Sequence, residues 1–98
     1  MRRLFWTPEA RQDRSAIYDY IEPVNAPAAL ALDEMFAKRA GRLVRHPELG
    51  RPGRVPNTRE LVVHRNYILV YDITDAELVR VLRVLHAARQ WPPDQGSS

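Results

Sequence analysis

Three strand-like runs follow one another almost without interruption towards the end of the chain: Arg59 to Val63, Tyr67 to Ile73 and Glu77 to His86. Only His64-Arg65-Asn66 separates the first two, and only Thr74-Asp75-Ala76 the second and third. Links this short suit hairpins and exclude crossovers, which need about a dozen residues or more. This part of the chain must therefore form antiparallel sheet, and such a sheet needs a second layer over at least one face. In the last run, strict alternation puts Val79, Val81, Arg83 and Leu85 on one side, and Leu78, Arg80, Leu82, Val84 and His86 on the other.

The first half of the chain supplies that layer. Arg3 to Trp6 alternates enough for a short strand, and Thr7-Pro8-Glu9-Ala10 then reads as a helix start. Thr7 can cap, Pro8 fits the first turn, and Glu9 complements the dipole. Ala10, Ile17 and Ile21 recur on one face, giving a helix to about Ile21, and Pro23 stops it. Arg14 interrupts the stripe, so its stem is expected to pack while its head reaches water. A second helix starts at Asn25 or Ala26, carries the stripe Ala29, Leu32, Phe36, Ala40 and Leu43, and is expected to end at His46-Pro47. Gly50, Pro52, Gly53 and Pro56 mark an irregular loop from Leu49 to Asn57. The expected fold class is α+β, with the order β-α-α-β-β-β and a helical hairpin packed on a small, mainly antiparallel sheet. Residues 1–93 are expected to form one domain and residues 94–98 a flexible tail.

With 98 residues and no cysteine, the chain has no disulfide scaffold, thiol nucleophile or thiolate metal site, and it suits a reducing cytoplasm. The Arg2-Arg3 pair is not followed by an apolar stretch long enough for a signal peptide or a membrane span. The expected location is cytoplasmic, with no membrane partner. The net charge of +3 is unevenly placed. Lys38, Arg39, Arg42, Arg45, Arg51, Arg54, Arg59 and Arg65 face only Glu48 and Glu60 in that segment, which is +6 and leaves the remainder at −3. Such a patch concentrates anionic partners, nucleic acid or an acidic protein tail. The alternative is a solvated helix face in a chain that favours arginine, with fourteen arginines to one lysine. Preference explains the choice of arginine but not its clustering.

The wording of the chain is more specific than its element order. Trp6-Thr7-Pro8-Glu9-Ala10 followed by Ile17-Tyr18-Asp19-Tyr20-Ile21, the loop His46-Pro47-Glu48-Leu49-Gly50-Arg51, and the strands Thr58-Arg59-Glu60-Leu61, Tyr67-Ile68-Leu69-Val70-Tyr71 and Val81-Leu82-Arg83-Val84-Leu85-His86 together resemble the RelE/ParE family of bacterial toxins. The resemblance covers residues 3 to 92 in order. It implies the toxin of a type II toxin–antitoxin, or plasmid-stabilisation, module, neutralised by a cognate antitoxin and reaching operator DNA only through it. RelE-like members enter the ribosome and cut mRNA without metal, whereas ParE-like members inhibit DNA gyrase. An attenuated member would act only as a corepressor with its antitoxin. The expected activity is ribosome-dependent mRNA cleavage, with gyrase inhibition as the alternative, and no cofactor or metal is expected.

RNA cleavage of that kind needs a proton exchanger and cations on the phosphate. His86 and Arg89 stand where RelE-like members hold part of their catalytic set. The expected set is therefore His86, Arg89 and Arg59, with Arg65, Arg51, Arg54 and Arg45 as nucleic-acid-binding residues. The sequence also departs from the nuclease pattern. Ile68 follows Tyr67 where an arginine is common, no tyrosine follows Trp91, and the first hairpin strand has no lysine. A strand-end histidine also occurs in ParE-like members, or serves the backbone as a structural group. Plainer roles are expected elsewhere: His64 solvated, Tyr67 and Tyr71 in the core or at the antitoxin, Trp91 capping the core, and Arg80 and Arg83 paired with carboxylates. Metal-ligand spacing, phosphate-cradling glycine loops and nucleophile motifs are absent.

Overall fold

The computed structural model describes residues 2–64, 66–75 and 77–87. The expected tail, together with Arg65, Arg89 and Trp91, lies outside the described residues. Strand β1 (Arg3–Trp6) leads directly into helix α1 (Pro8–Ile21), and α2 (Ala26–Arg42) returns antiparallel to it. A single 3-10 turn (Pro47–Leu49) and the two-residue strand β2 (Arg51–Pro52) precede β3 (Arg59–His64), β4 (Tyr67–Asp75) and β5 (Leu78–His86). The sheet order is β1-β5-β4-β3-β2, antiparallel throughout except that β1 runs parallel to β5.

Both helices start as their sequences dictate. Thr7 Oγ1 accepts the Ala10 N–H at 3.1 Å, and Asn25 Oδ1 accepts that of Ala28 at 3.0 Å, each satisfying a first-turn donor. Helix α2 ends at Arg42 rather than at the expected His46-Pro47. From Leu43 to Arg45 the chain tightens into bonds to the third residue back (Leu43 N–H to Ala40 O, Arg45 N–H to Arg42 O), so the last turn leaves α-helical geometry early. The basic side chains of Arg39 and Arg42 face the negative end of the dipole there.

The core lies between the hairpin and one sheet face. Ala10, Phe36, Ala40 and Leu43 meet Val63, Leu69, Tyr71, Val79, Val81 and Val84, all nearly sealed from solvent. Burying Phe36 alone contributes about 2–3 kcal/mol. Strict alternation fails in β5. Tyr71 pairs with Val81 but Val70 pairs with Arg83, so Leu82 is an extra residue in a bulge. Past the bulge it is Val84 that faces the helices, while Leu82 and Leu85 join Ile68 and Val70 on the other face. Arg14 also departs from expectation. Its head is partly exposed but held rather than free: Nε and Nη2 each donate to the Asp33 carboxylate at 2.9 Å, and its guanidinium carbon lies 4.5 Å from the Trp6 ring centroid. No helix among the described residues is long and apolar enough to cross a membrane.

Candidate functional site

Past Trp6, β1 no longer covers β5, and α1 takes its place along Leu82 to His86. The Thr7 hydroxyl donates to Leu82 O at 3.0 Å, and Asp13 accepts the Val84 N–H at 2.9 Å. The helix and sheet then diverge around a groove of about 480 Å³, lined by Asp13, Ala16, Ile17, Tyr20, Tyr67, Val84 and His86. Of the expected catalytic residues it contains His86.

His86 stands at its rim, opposite Tyr67 in the ladder, with ring centroids 5.2 Å apart and planes at 74°. Tyr67 in turn meets buried Phe36 edge-on at 5.7 Å. The imidazole is thus oriented by an aromatic series that begins in the core. Asp13 belongs to the same wall but is committed to structure. Arg83 grips it through Nε at 2.7 Å and Nη2 at 3.0 Å, and that hydrogen bonding raises the Arg83 pKa above its ordinary value. The groove therefore offers an imidazole, two phenols and an apolar floor.

Arg59 is elsewhere. It pairs with Tyr71, four positions along β4 from Tyr67, or about 13 Å of strand. Its Nη1 donates to Gly50 O at 2.5 Å, beside the Tyr71 hydroxyl, which donates to Pro47 O at 2.6 Å and accepts from Gly50 N–H at 2.9 Å. Burial raises the Tyr71 pKa, and the hydrogen bond from Gly50 opposes that shift. Arg51 and Arg54 converge on Glu60, which is only 2% exposed. Arg51 Nη2 reaches it at 3.4 Å, the Arg54 N–H donates at 3.1 Å, and Arg54 Nε lies at 3.8 Å. Glu60 thus offsets one of these two positive charges, and both guanidinium groups stay substantially exposed. Arg45 is exposed in the turn after α2. Arg80 pairs with Asp72 at 2.6 Å. The structure brings Arg51 and Arg54 together but does not bring Arg59 to His86. Among the described residues no group of His, Asp or Glu could hold a metal ion.

Asp13 was not among the expected site residues, although the sequence carries a signal for it. It lies three residues after Ala10 and four before Ile17, on the buried stripe of α1, where a carboxylate requires a partner.

The family model for the ParE toxin of the type II toxin–antitoxin system parDE matches residues 4–91. Two curated relatives are 37% identical to the chain. They are Y4kP of Sinorhizobium fredii, over 93% of this chain and 94% of that protein, and Toxin RelE2 of Caulobacter vibrioides, over 91% and 99%. The chromosomal ParDE toxin–antitoxin system from P. aeruginosa contains a chain with a TM-score of 0.78 and 28% identity, covering 88% of this chain and 96% of that one. The RelBE2 toxin–antitoxin complex from Mycobacterium tuberculosis gives 0.59 and 27%, covering 87% and 96%. Sequence and fold agree along nearly the whole chain, which therefore belongs to the ParE family as the toxin of a type II toxin–antitoxin system.

Proposed function

We propose that this toxin arrests growth by binding DNA gyrase with its folded surface, in an encounter that its cognate antitoxin prevents, and that it performs no RNA chemistry of its own. The observation that carries this reading is the separation of His86 from Arg59. In-line cleavage of RNA needs a proton exchanger and a cation around one phosphate, within hydrogen-bond reach of it. The register sets Arg59 about 13 Å of strand from the end of β5 where His86 stands, so among the described residues this expected pair is not brought to one phosphate. The remaining arginines of the basic segment that were expected to bind RNA include Arg51 and Arg54, which serve buried Glu60. The closer structural likeness to a ParDE chain than to the RelBE2 complex points the same way.

The test is direct. Purified protein should inhibit gyrase supercoiling at near-stoichiometric amounts while translation in a cell extract continues. Cleaved mRNA with supercoiling untouched would sink the proposal in favour of a ribosome-dependent mRNA interferase. One observation favours that second reading: His86 is oriented at a groove rim by Tyr67, and Arg89 follows three residues later. It predicts that His86→Ala and Arg89→Ala each abolish cleavage without unfolding the protein. Growth undisturbed by induction without antitoxin would instead support a corepressor. Either target is cytoplasmic.

A further inference from the structure

The cations of this protein fall into two populations. Arg14, Arg51, Arg54, Arg80 and Arg83 each lie 2.6–3.8 Å from a carboxylate oxygen. Lys38, Arg39, Arg42 and Arg45 do not. Among the described residues none of these four forms an ion pair, although Glu34 and Glu48 flank the run. Lys38 and Arg42 are four residues apart on one face of α2, and both are exposed. Arg45 is exposed just past the helix end, where its N–H still bonds to Arg42 O at 3.2 Å. Arg39 is half-buried beside them.

A further charge arrives from the start of β1. Arg2 Nη1 reaches Val44 O at 3.5 Å, and its Nε is buried with no acceptor, so this guanidinium also stands beside the turn without a carboxylate. Like charges one turn apart destabilise a helix, and the fold gains nothing visible in return. The negative end of the dipole accounts for Arg39 and Arg42. It does not account for Lys38 a turn earlier, or for Arg45 beyond the end.

We propose that this face of α2 binds the backbone of duplex DNA directly, through Lys38, Arg42 and Arg45, with Arg39 and Arg2 raising the potential behind them. From Lys38 to Arg45 the chain climbs about 10 Å, which spans about three phosphates of one strand. A protein partner would want an apolar anchor at the centre of the contact, and the exposed residues among and beside the cations are Ala37, Gly41 and His46. Single strands stack their bases on aromatic side chains, and residues 37–45 contain none. Duplex RNA is also read through its 2′-hydroxyls, and the same stretch has no Ser, Thr, Asn or Gln. What it offers is charge alone, which suits phosphates in a regular duplex. The inference stands apart from the gyrase reading, because DNA alone tests it.

Fluorescence anisotropy of a labelled duplex of about twenty base pairs, titrated with the full-length protein, supplies the test. Three phosphate contacts predict an affinity that falls about fortyfold as salt rises from about 50 to about 200 mM. Arg42→Gln removes one contact, so its affinity should fall only about twelvefold over the same range. Its urea midpoint should match the parent's, since the side chain is exposed and unpaired. Arg80→Gln removes the same charge from a guanidinium held by Asp72, and should keep the fortyfold dependence. The triple variant Lys38→Gln/Arg42→Gln/Arg45→Gln should lose binding at about 100 mM salt. Absence of binding at about 50 mM overturns the proposal, as does an Arg80→Gln variant that loses as much salt dependence as Arg42→Gln. Tighter binding of the single strand or of duplex RNA of the same sequence also overturns it. So does displacement of the duplex by a glutamate octapeptide more readily than by unlabelled DNA of equal charge, which would mark an acidic protein as the occupant.

Discussion

Asp13 and Arg83 are 70 residues apart in the chain, yet they meet as a two-bonded fork at 2.7 and 3.0 Å, while the same carboxylate also takes the Val84 N–H. This arrangement closes the edge of β5 that the short β1 leaves open. Removing Asp13 takes two hydrogen bonds from the Arg83 guanidinium and the acceptor from the Val84 N–H, in a pair whose side chains are only 15% and 26% exposed. Asp13→Ala should therefore cost about 3 kcal/mol in urea unfolding, and Asp13→Asn about 1 kcal/mol, because the amide oxygen still accepts from Val84. Equal losses for the two variants would show that the main-chain bond contributes nothing.

Tyr71 should make the fold sensitive to alkali. Burial raises its phenol pKa above the ordinary 10.0, so the folded state holds that proton more tightly than the unfolded chain. The resulting stabilisation is complete below pH 10 and disappears as pH climbs through the raised folded value. Tyr71→Phe removes the partner of both Pro47 O and Gly50 N–H and should cost about 2 kcal/mol at neutral pH. Its stability should then fall less steeply above pH 10 than that of the parent, as read from urea midpoints across the alkaline range.

Two glycines should respond to alanine with opposite signs. A Cβ on Gly50 would lie 2.7 Å from Tyr71 Cε1 and Oη and 2.9 Å from Glu60 O, so the 3-10 turn would have to move off the sheet. Gly50→Ala should cost about 2 kcal/mol. A Cβ on Gly41 meets nothing within 4 Å, and the residue is exposed inside α2. Gly41→Ala should add about 0.8 kcal/mol through helix propensity alone. Thermal melts of the two variants moving in the same direction would contradict this account.

What the sequence disclosed and what it concealed divide along a physical line. Thr7-Pro8 and Asn25-Ala26-Pro27 fix both helix starts because capping is decided within four residues. The hairpin links fix the pairing of β3 with β4 and of β4 with β5 for the same local reason. The bulge at Leu82 was invisible because one extra residue shows only in pairing with Val70 and Tyr71. The partner of Arg14 was hidden because Asp33 comes from the other helix. The split of the expected site was legible in principle. Two successive hairpins carry the end of β5 back to the turn after β3, which leaves Arg59 at the opposite end of its strand from His86.

That split makes a functional prediction sharper than either residue alone. If toxicity rests on a protein surface, His86→Ala should lower gyrase inhibition by no more than about twofold, which corresponds to about 0.4 kcal/mol. The side chain is exposed at a strand end, and Tyr67 keeps its contact with Phe36. Arg59→Met should behave differently. Loss of the bond to Gly50 O loosens the turn at Pro47–Leu49, so the variant should unfold at lower urea and exchange its Gly50 amide faster, whatever its toxicity. An RNA-cutting toxin would reverse the pattern, with His86→Ala losing about a hundredfold or more in mRNA cleavage at unchanged stability. Measuring growth arrest, supercoiling and urea midpoint on both variants therefore separates a residue that holds the fold from one that serves the target. The surface reading fails if His86→Ala alone restores growth with the fold intact.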